Sequence, residues 1–101
     1  MKFIIIARIP HDTFNAAVRD GSAGEKTEKI LSETKPEAVY FTEMDGLRTV
    51  VMAVDIDCAS KIPSIAEPWF LTFGCDVELH AAMTPEELRS ANLGELGKQW
   101  G

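Results

Sequence analysis

The stretch Asp76-Val77-Glu78-Leu79-His80 carries the densest potential chemistry in this chain. In an extended strand, residues two apart share a face, so Asp76, Glu78 and His80 project together. A carboxylate two residues from an imidazole orients it and favours its protonated form, an arrangement suited to general acid–base work inside a cavity. We therefore take His80, Glu78 and Asp76 as candidate catalytic residues. The plainer alternative is a set of polar residues at a strand end near Lys2, or contacts across a dimer interface. Arg8 is the second oddity. It interrupts an otherwise apolar run, Phe3 to Ile9, and a guanidinium taken out of water needs an anionic partner. If the strands are antiparallel, Arg8, Arg48 and Asp76 gather at one end of a sheet, with Tyr40 or Thr42 nearby. Two arginines there would hold the carboxylate or phosphate of a small ligand. Arg8, Arg48 and Tyr40 are thus candidate ligand-binding residues. The competing reading is an Arg8–Asp76 structural ion pair with Arg48 in solvent.

Other reactive groups point to less. His11 follows Pro10 and reads as a loop or capping residue. Cys58 and Cys75 have neither metal-site spacing nor the count of a disulfide framework. They read as two small, mostly buried thiols in a reducing compartment, hence a cytoplasmic protein. Two His and two Cys, all scattered, give no metal site, and no cofactor is called for. A haem would have only His80 or His11 as axial ligand. Gly24-Glu25-Lys26-Thr27 superficially matches a phosphate loop, but its first glycine is absent and no strand precedes it. Ten Lys and Arg against 16 Asp and Glu give a net charge of −6. That balance argues against nucleic acid. No apolar run approaches the roughly 18 residues of a membrane span. Met1-Lys2 followed by isoleucines opens like a signal peptide, but Arg8 ends the run and a buried strand explains it better.

These side chains must be positioned by an ordinary single domain of 101 residues. Residues 2–9, apolar on both parities, predict a strand buried on both faces and therefore central in its sheet. A helix is expected from about Phe14, capped by Asp12 or Thr13, to Thr34 before Lys35-Pro36. Gly21 and Gly24 either break it or give it a small-residue face; we expect one long helix with a weak point. Strands follow at 37–43 and 47–55, joined by a tight turn at Met44-Asp45-Gly46. A short helix starts at Asp57 or Ser60 and runs through Ala66, closed by Glu67-Pro68. Trp69, Phe70 and Phe73 are expected to close the core, leading into an alternating strand over 72–82. The alternative for these aromatics is the wall of a pocket. Thr84-Pro85-Glu86-Glu87 opens a C-terminal helix over 84–101. Trp100 either docks on a neighbour or frays.

The order is βαββαβ plus a C-terminal helix. Right-handed crossovers give an antiparallel sheet ordered 4-1-3-2, a ferredoxin-like α+β fold with helices on one face. If Phe3, Ile5 and Ala7 meet the helices, then Lys2, Ile4, Ile6 and Arg8 lie on the open face. Val50, Met52 and Val54, or their alternates, join them. An open face with an aliphatic centre needs a cover, and a second copy meeting it face to face is the simplest one.

The element order, the open face, and the segment Glu67-Pro68-Trp69-Phe70-Leu71-Thr72-Phe73 before an alternating last strand resemble the dimeric α+β barrel superfamily. With Pro36 to Phe41, Gly46, Arg48 and Met83-Thr84-Pro85-Glu86, the chain is similar to its muconolactone-isomerase-like branch and to short uncharacterised bacterial proteins. The resemblance implies a homodimer. It also implies a superfamily that includes isomerases, cofactor-free monooxygenases, haem-degrading or peroxidase relatives, and members with no known activity. No catalytic motif carries over residue by residue. Two functions are expected to compete. One is binding of a small organic acid between facing sheets, with cofactor-free isomerase or monooxygenase-like turnover. The other is a non-catalytic dimeric regulatory or assembly module.

Overall fold

The computed structural model describes residues 1–101. Strand β1 (Lys2–Ile9) is followed by helices α1 (His11–Asp20) and α2 (Ala23–Thr34), then by strands β2 (Ala38–Met44) and β3 (Leu47–Asp55). A 3₁₀ turn at Ala59–Lys61 runs into α3 (Ile62–Phe73), then come β4 (Asp76–Ala82), α4 (Pro85–Ser90) and α5 (Leu93–Trp100). The sheet is fully antiparallel with order β2-β3-β1-β4, the ferredoxin-like arrangement. The apolar first strand is central, as its two-sided hydrophobicity requires.

Register decides which side chains share a face. The two-residue turn Asp45-Gly46 has both residues at positive φ (56° and 77°), the conformation that matches strand twist. It pairs Met44 with Leu47, and hence Tyr40 with Val51. β1 then sets Ile5 beside Met52 and Leu79, and Ala7 beside Val50 and Val77. These residues face the helices and form the core with Ala17, Ile30, Ile65, Trp69 and Phe73. Val50, Met52 and Val54 therefore belong to the core face; their alternates Val51 and Ala53 lie on the open one.

Three expected elements differ. The long helix over 14–34 is two helices, and the first begins at His11. Gly21 adopts the left-handed conformation (φ 83°) and ends α1, while the Ser22 amide donates to the Ala17 carbonyl at 2.9 Å. The glycines break the helix rather than merely weakening it. Second, α3 does not stop at Glu67-Pro68 but continues to Phe73. Pro68 costs a helix about 3 kcal/mol. Burying Trp69 and Phe73 completely on the same stripe as Ile65 and Ala66 offsets this, at about 1.5–3 kcal/mol per large side chain. Gly74 (φ 68°) ends the helix, so β4 begins at Asp76 rather than 72. Phe70 faces outward at 41 % exposure and does not close the core, whereas Trp69 and Phe73 do. Third, the C-terminal helix is two helices, α4 and α5. They meet at an elbow where Asn92 takes the left-handed conformation (φ 58°). No residue of either is buried.

Candidate functional site

The open face of the sheet holds a line of polar groups across three strands. On β4, Asp76, Glu78 and His80 share this face, opposite Arg8, Ile6 and Ile4 of β1. Glu78 receives two contacts. Its Oε1 lies 3.0 Å from Nε2 of His80, and its Oε2 accepts from Nη1 of Arg8. Arg8 then reaches over β3 to the hairpin: its Nε is 3.2 Å from Asp45 Oδ2, a charge contact, and Nη2 is 3.7 Å from Met44 Sδ. The guanidinium is mostly withdrawn from water, with its side chain 21 % exposed, while Glu78 and His80 are roughly half exposed. Thr49, cross-strand neighbour of both Arg8 and Thr42, is buried beneath this line and satisfied by donating to the Leu47 carbonyl at 2.9 Å. At the opposite end of the face Lys2 is tied to Glu37. The hydrogen bond that Lys2 donates to that carboxylate, joined by the carboxylate's charge, raises the Lys2 pKa.

The expected constellation is thus partly assembled. Glu78 and His80 meet. Arg8 is ion-paired, but with Glu78 and Asp45 rather than with Asp76, its register partner. A guanidinium on a long stem reaches the diagonal neighbour two residues along the adjacent strand, and the hairpin supplies a second acid. Asp76 stays exposed at the strand end. Arg48 is absent from this face. It has the parity of Val50 and points to the helix side, where it donates to Asn15 Oδ1 at 2.8 Å and lies 4.8 Å above the Phe14 ring. Tyr40 is on the open face but at the edge strand, 71 % exposed. His11 opens α1, exposed, away from the β4 line. Asp45 and Met44 are the members that sequence reasoning missed. The signal was available: a two-residue Asp-Gly hairpin beside the end of β1 brings its own acid within reach of Arg8.

Chemically, the line can hold and move a proton. With Nε2 of a neutral His80 donating to Glu78, Nδ1 is left as acceptor, and that tautomer follows from the bond the carboxylate makes. The line offers no free cation, since one guanidinium faces two carboxylates. No cluster of His, Cys, Asp and Glu has the geometry to hold a metal ion. Of the two thiols expected to be mostly buried, only Cys75 is; Cys58 is exposed, because it leads into the 3₁₀ turn, which has no buried residue, and both are unpaired. Burial, aided by the Asp76 charge, pushes the Cys75 thiol up to about 12, so it stays protonated. No helix is long and apolar enough to cross a membrane.

No protein-family model matches this chain, and no curated protein matches it. Among solved structures it is similar to the de novo designed protein Ferredog-Diesel, at 15 % identity and a TM-score of 0.44, over 80 % of this chain and 85 % of that one.

Proposed function

We propose that this chain is a homodimeric cytoplasmic module whose two copies meet through the open faces of their sheets. Ile4, Ile6, Val51 and Ala53 are contiguous on that face, flanked by Tyr40. Helices α1, α2 and α3 pack on the other side and α4 and α5 have no buried residue, so this aliphatic centre stays half-buried, outside the core. That single observation carries the reading. The pairing of Arg8 and Lys2 with acids of their own chain supports an assembling role, because the charged ends of the face are already neutralised. The free thiols Cys58 and Cys75 support a reducing compartment. Membership of the dimeric α+β barrel superfamily, near its muconolactone-isomerase-like branch, is part of the same proposal and rests on element order and the residues quoted above.

A second reading is favoured by the His80–Glu78 pair. In a face-to-face dimer this pair from each copy lines the space between the sheets. That space takes a small organic acid, and His80, oriented by Glu78, moves a proton in a cofactor-free isomerisation or monooxygenase-like step. The ligand carboxylate must displace Glu78 or Asp45 from Arg8, which makes anion binding weak.

Sedimentation equilibrium at micromolar concentration tests the first reading. The wild type is expected to be a dimer. Val51→Lys, a charge at the centre of the face, is expected to give a folded monomer by circular dichroism. A monomeric wild type overturns the proposal. For the second reading, a panel of small aliphatic and aromatic carboxylates is screened by thermal shift. A shift lost in Arg8→Ala with the dimer intact supports ligand binding; no shift with any acid leaves the module reading alone.

A further inference from the structure

The molecule is too extended for its mass. Its accessible surface is 6707 Å², whereas a compact monomer of 11.1 kDa exposes about 5,700 Å². Its radius of gyration is 17.0 Å, against about 13 Å for a globular domain of this length. The longest dimension, 59 Å, is about twice the next, 28 Å. The excess surface, about 1,000 Å², is of the size one partner contributes to a standard interface, about 800 Å². Helices α4 and α5 contribute to it, since none of their residues is buried. Yet α4 is well specified. Thr84 Oγ1 accepts from the Glu87 amide at 3.2 Å while Glu87 Oε1 accepts from the Thr84 amide at 2.9 Å, a complete capping box. On α5, Leu93, Leu96 and Trp100 follow at spacings of three and four, which places them on one stripe. They are 57 %, 42 % and 79 % exposed.

A second surface is equally unfinished. β2 is an edge strand carrying exposed aromatics on opposite faces, Tyr40 on the open face and Phe41, 61 % exposed, on the helix side. The helical layer leaves this edge uncovered. When two sheets face each other about a twofold axis parallel to their strands, the β4 edge of each lies over the β2 edge of its mate. The arm leaves from the end of β4. Its helices total about 21 Å, set against roughly 10 Å between packed sheets and about 17 Å along the strands from the level of Ala82 to that of Phe41. The chain's own β2, three strands away at about 14 Å across the sheet, is within the same reach, yet the arm does not seal its stripe there: Leu93, Leu96 and Trp100 stay exposed.

We propose that the arm is exchanged between copies, the Leu93–Leu96–Trp100 stripe of each chain packing on the β2 edge of its mate against Phe41 of the partner subunit. This deepens the homodimer reading and rests on it. A pair assembled by sheet faces alone leaves both stripes wet; exchange covers them and closes the β2 edge at the same time.

The test uses the full chain. Leu93→Ser/Leu96→Ser/Trp100→Ser removes the stripe without touching the core, and the dimer dissociation constant from sedimentation equilibrium is expected to rise at least tenfold. In a Cys58→Ser background, Phe41→Cys/Leu96→Cys is expected to oxidise to a covalent dimer on a non-reducing gel. Lys29→Cys/Leu96→Cys, which probes the 550 Å³ groove between α2 and α3 lined by Lys26, Ile30 and Leu71, is expected to stay uncrosslinked. A wild-type dimer whose affinity the triple change leaves unaltered overturns the exchange and spares the homodimer. A monomeric wild type overturns both. An intramolecular 41–96 disulfide, or crosslinking through position 29, overturns the proposed seat.

Discussion

The βαββαβ core and the C-terminal arm are built from the same residue types and end in opposite states. In the core, Leu, Ile, Val and aromatic side chains fall on faces that meet, and Trp69, Phe73, Ile5 and Val50 are sealed. In the arm, Leu88, Leu93, Leu96 and Trp100 are arranged as regularly, yet all four stay exposed. Helix formation in the arm rests on local devices, the capping box and Pro85 in the first turn, whereas α3 persists through Pro68 because its burial demands it. Amphipathic pattern alone therefore does not say that a helix packs on its own domain. It says only that something must cover the stripe.

Changes to the two tryptophans should separate these regimes most widely. Trp69→Ala is expected to destabilise the fold by about 3–5 kcal/mol in urea unfolding. Trp100→Ala, measured below the dimer dissociation constant, is expected to stay within about 0.5 kcal/mol of wild type. The cysteines sharpen the same contrast. A thiol-specific reagent at neutral pH should modify Cys58 quickly and Cys75 only after denaturation, because Cys75 is buried and remains protonated. Gly74→Ala should cost about 1–2 kcal/mol, since the left-handed backbone at φ 68° penalises any Cβ although the space around it is open.

In the arm, Thr84→Ala should cost about 1 kcal/mol of local helix stability. That loss should be visible as faster amide exchange in α4, with no change in global unfolding. The smallest effect concerns pH. Hydrogen bonds from the Thr84 backbone and side chain hold the Glu87 carboxyl below its ordinary value. A depressed folded pKa means the cap contributes fully above the ordinary carboxylate range. The contribution is lost as pH falls through the depressed value. Chemical shifts of α4 followed from pH 7 to pH 2 should report this, while Trp69 fluorescence stays constant over the upper part of that range.

Reading the chain as letters reaches the sheet further than the helices. Strand order and the central place of β1 follow from two-sided hydrophobicity and one Asp-Gly turn, both short-range signals. The Glu78–His80 pair was legible for the same reason: period two needs no tertiary knowledge. Arg8 was recognised as needing an acid, but which acid depends on how far a guanidinium reaches diagonally and on the hairpin that closes beside the end of β1. Arg48 was misplaced because parity along β3 is ambiguous until the hairpin register is known. Pro68 misled because a helix-breaking cost was not weighed against the burial of Trp69 and Phe73. The fate of the arm was illegible in principle, since its partner surface lies outside the segment that encodes it.

The left-handed Gly21 also solves a problem of length. One unbroken rod over residues 11–34 would run about 36 Å, while β1, eight residues long, spans about 26 Å. Such a rod would overhang the sheet by two turns and deliver the chain beyond the point where β2 must begin. Bending at Gly21–Ser22 folds that surplus back, so the crossover returns to the level of Lys2 with Glu37 placed to meet its ammonium group. A single left-handed joint thus tailors the roof to the floor.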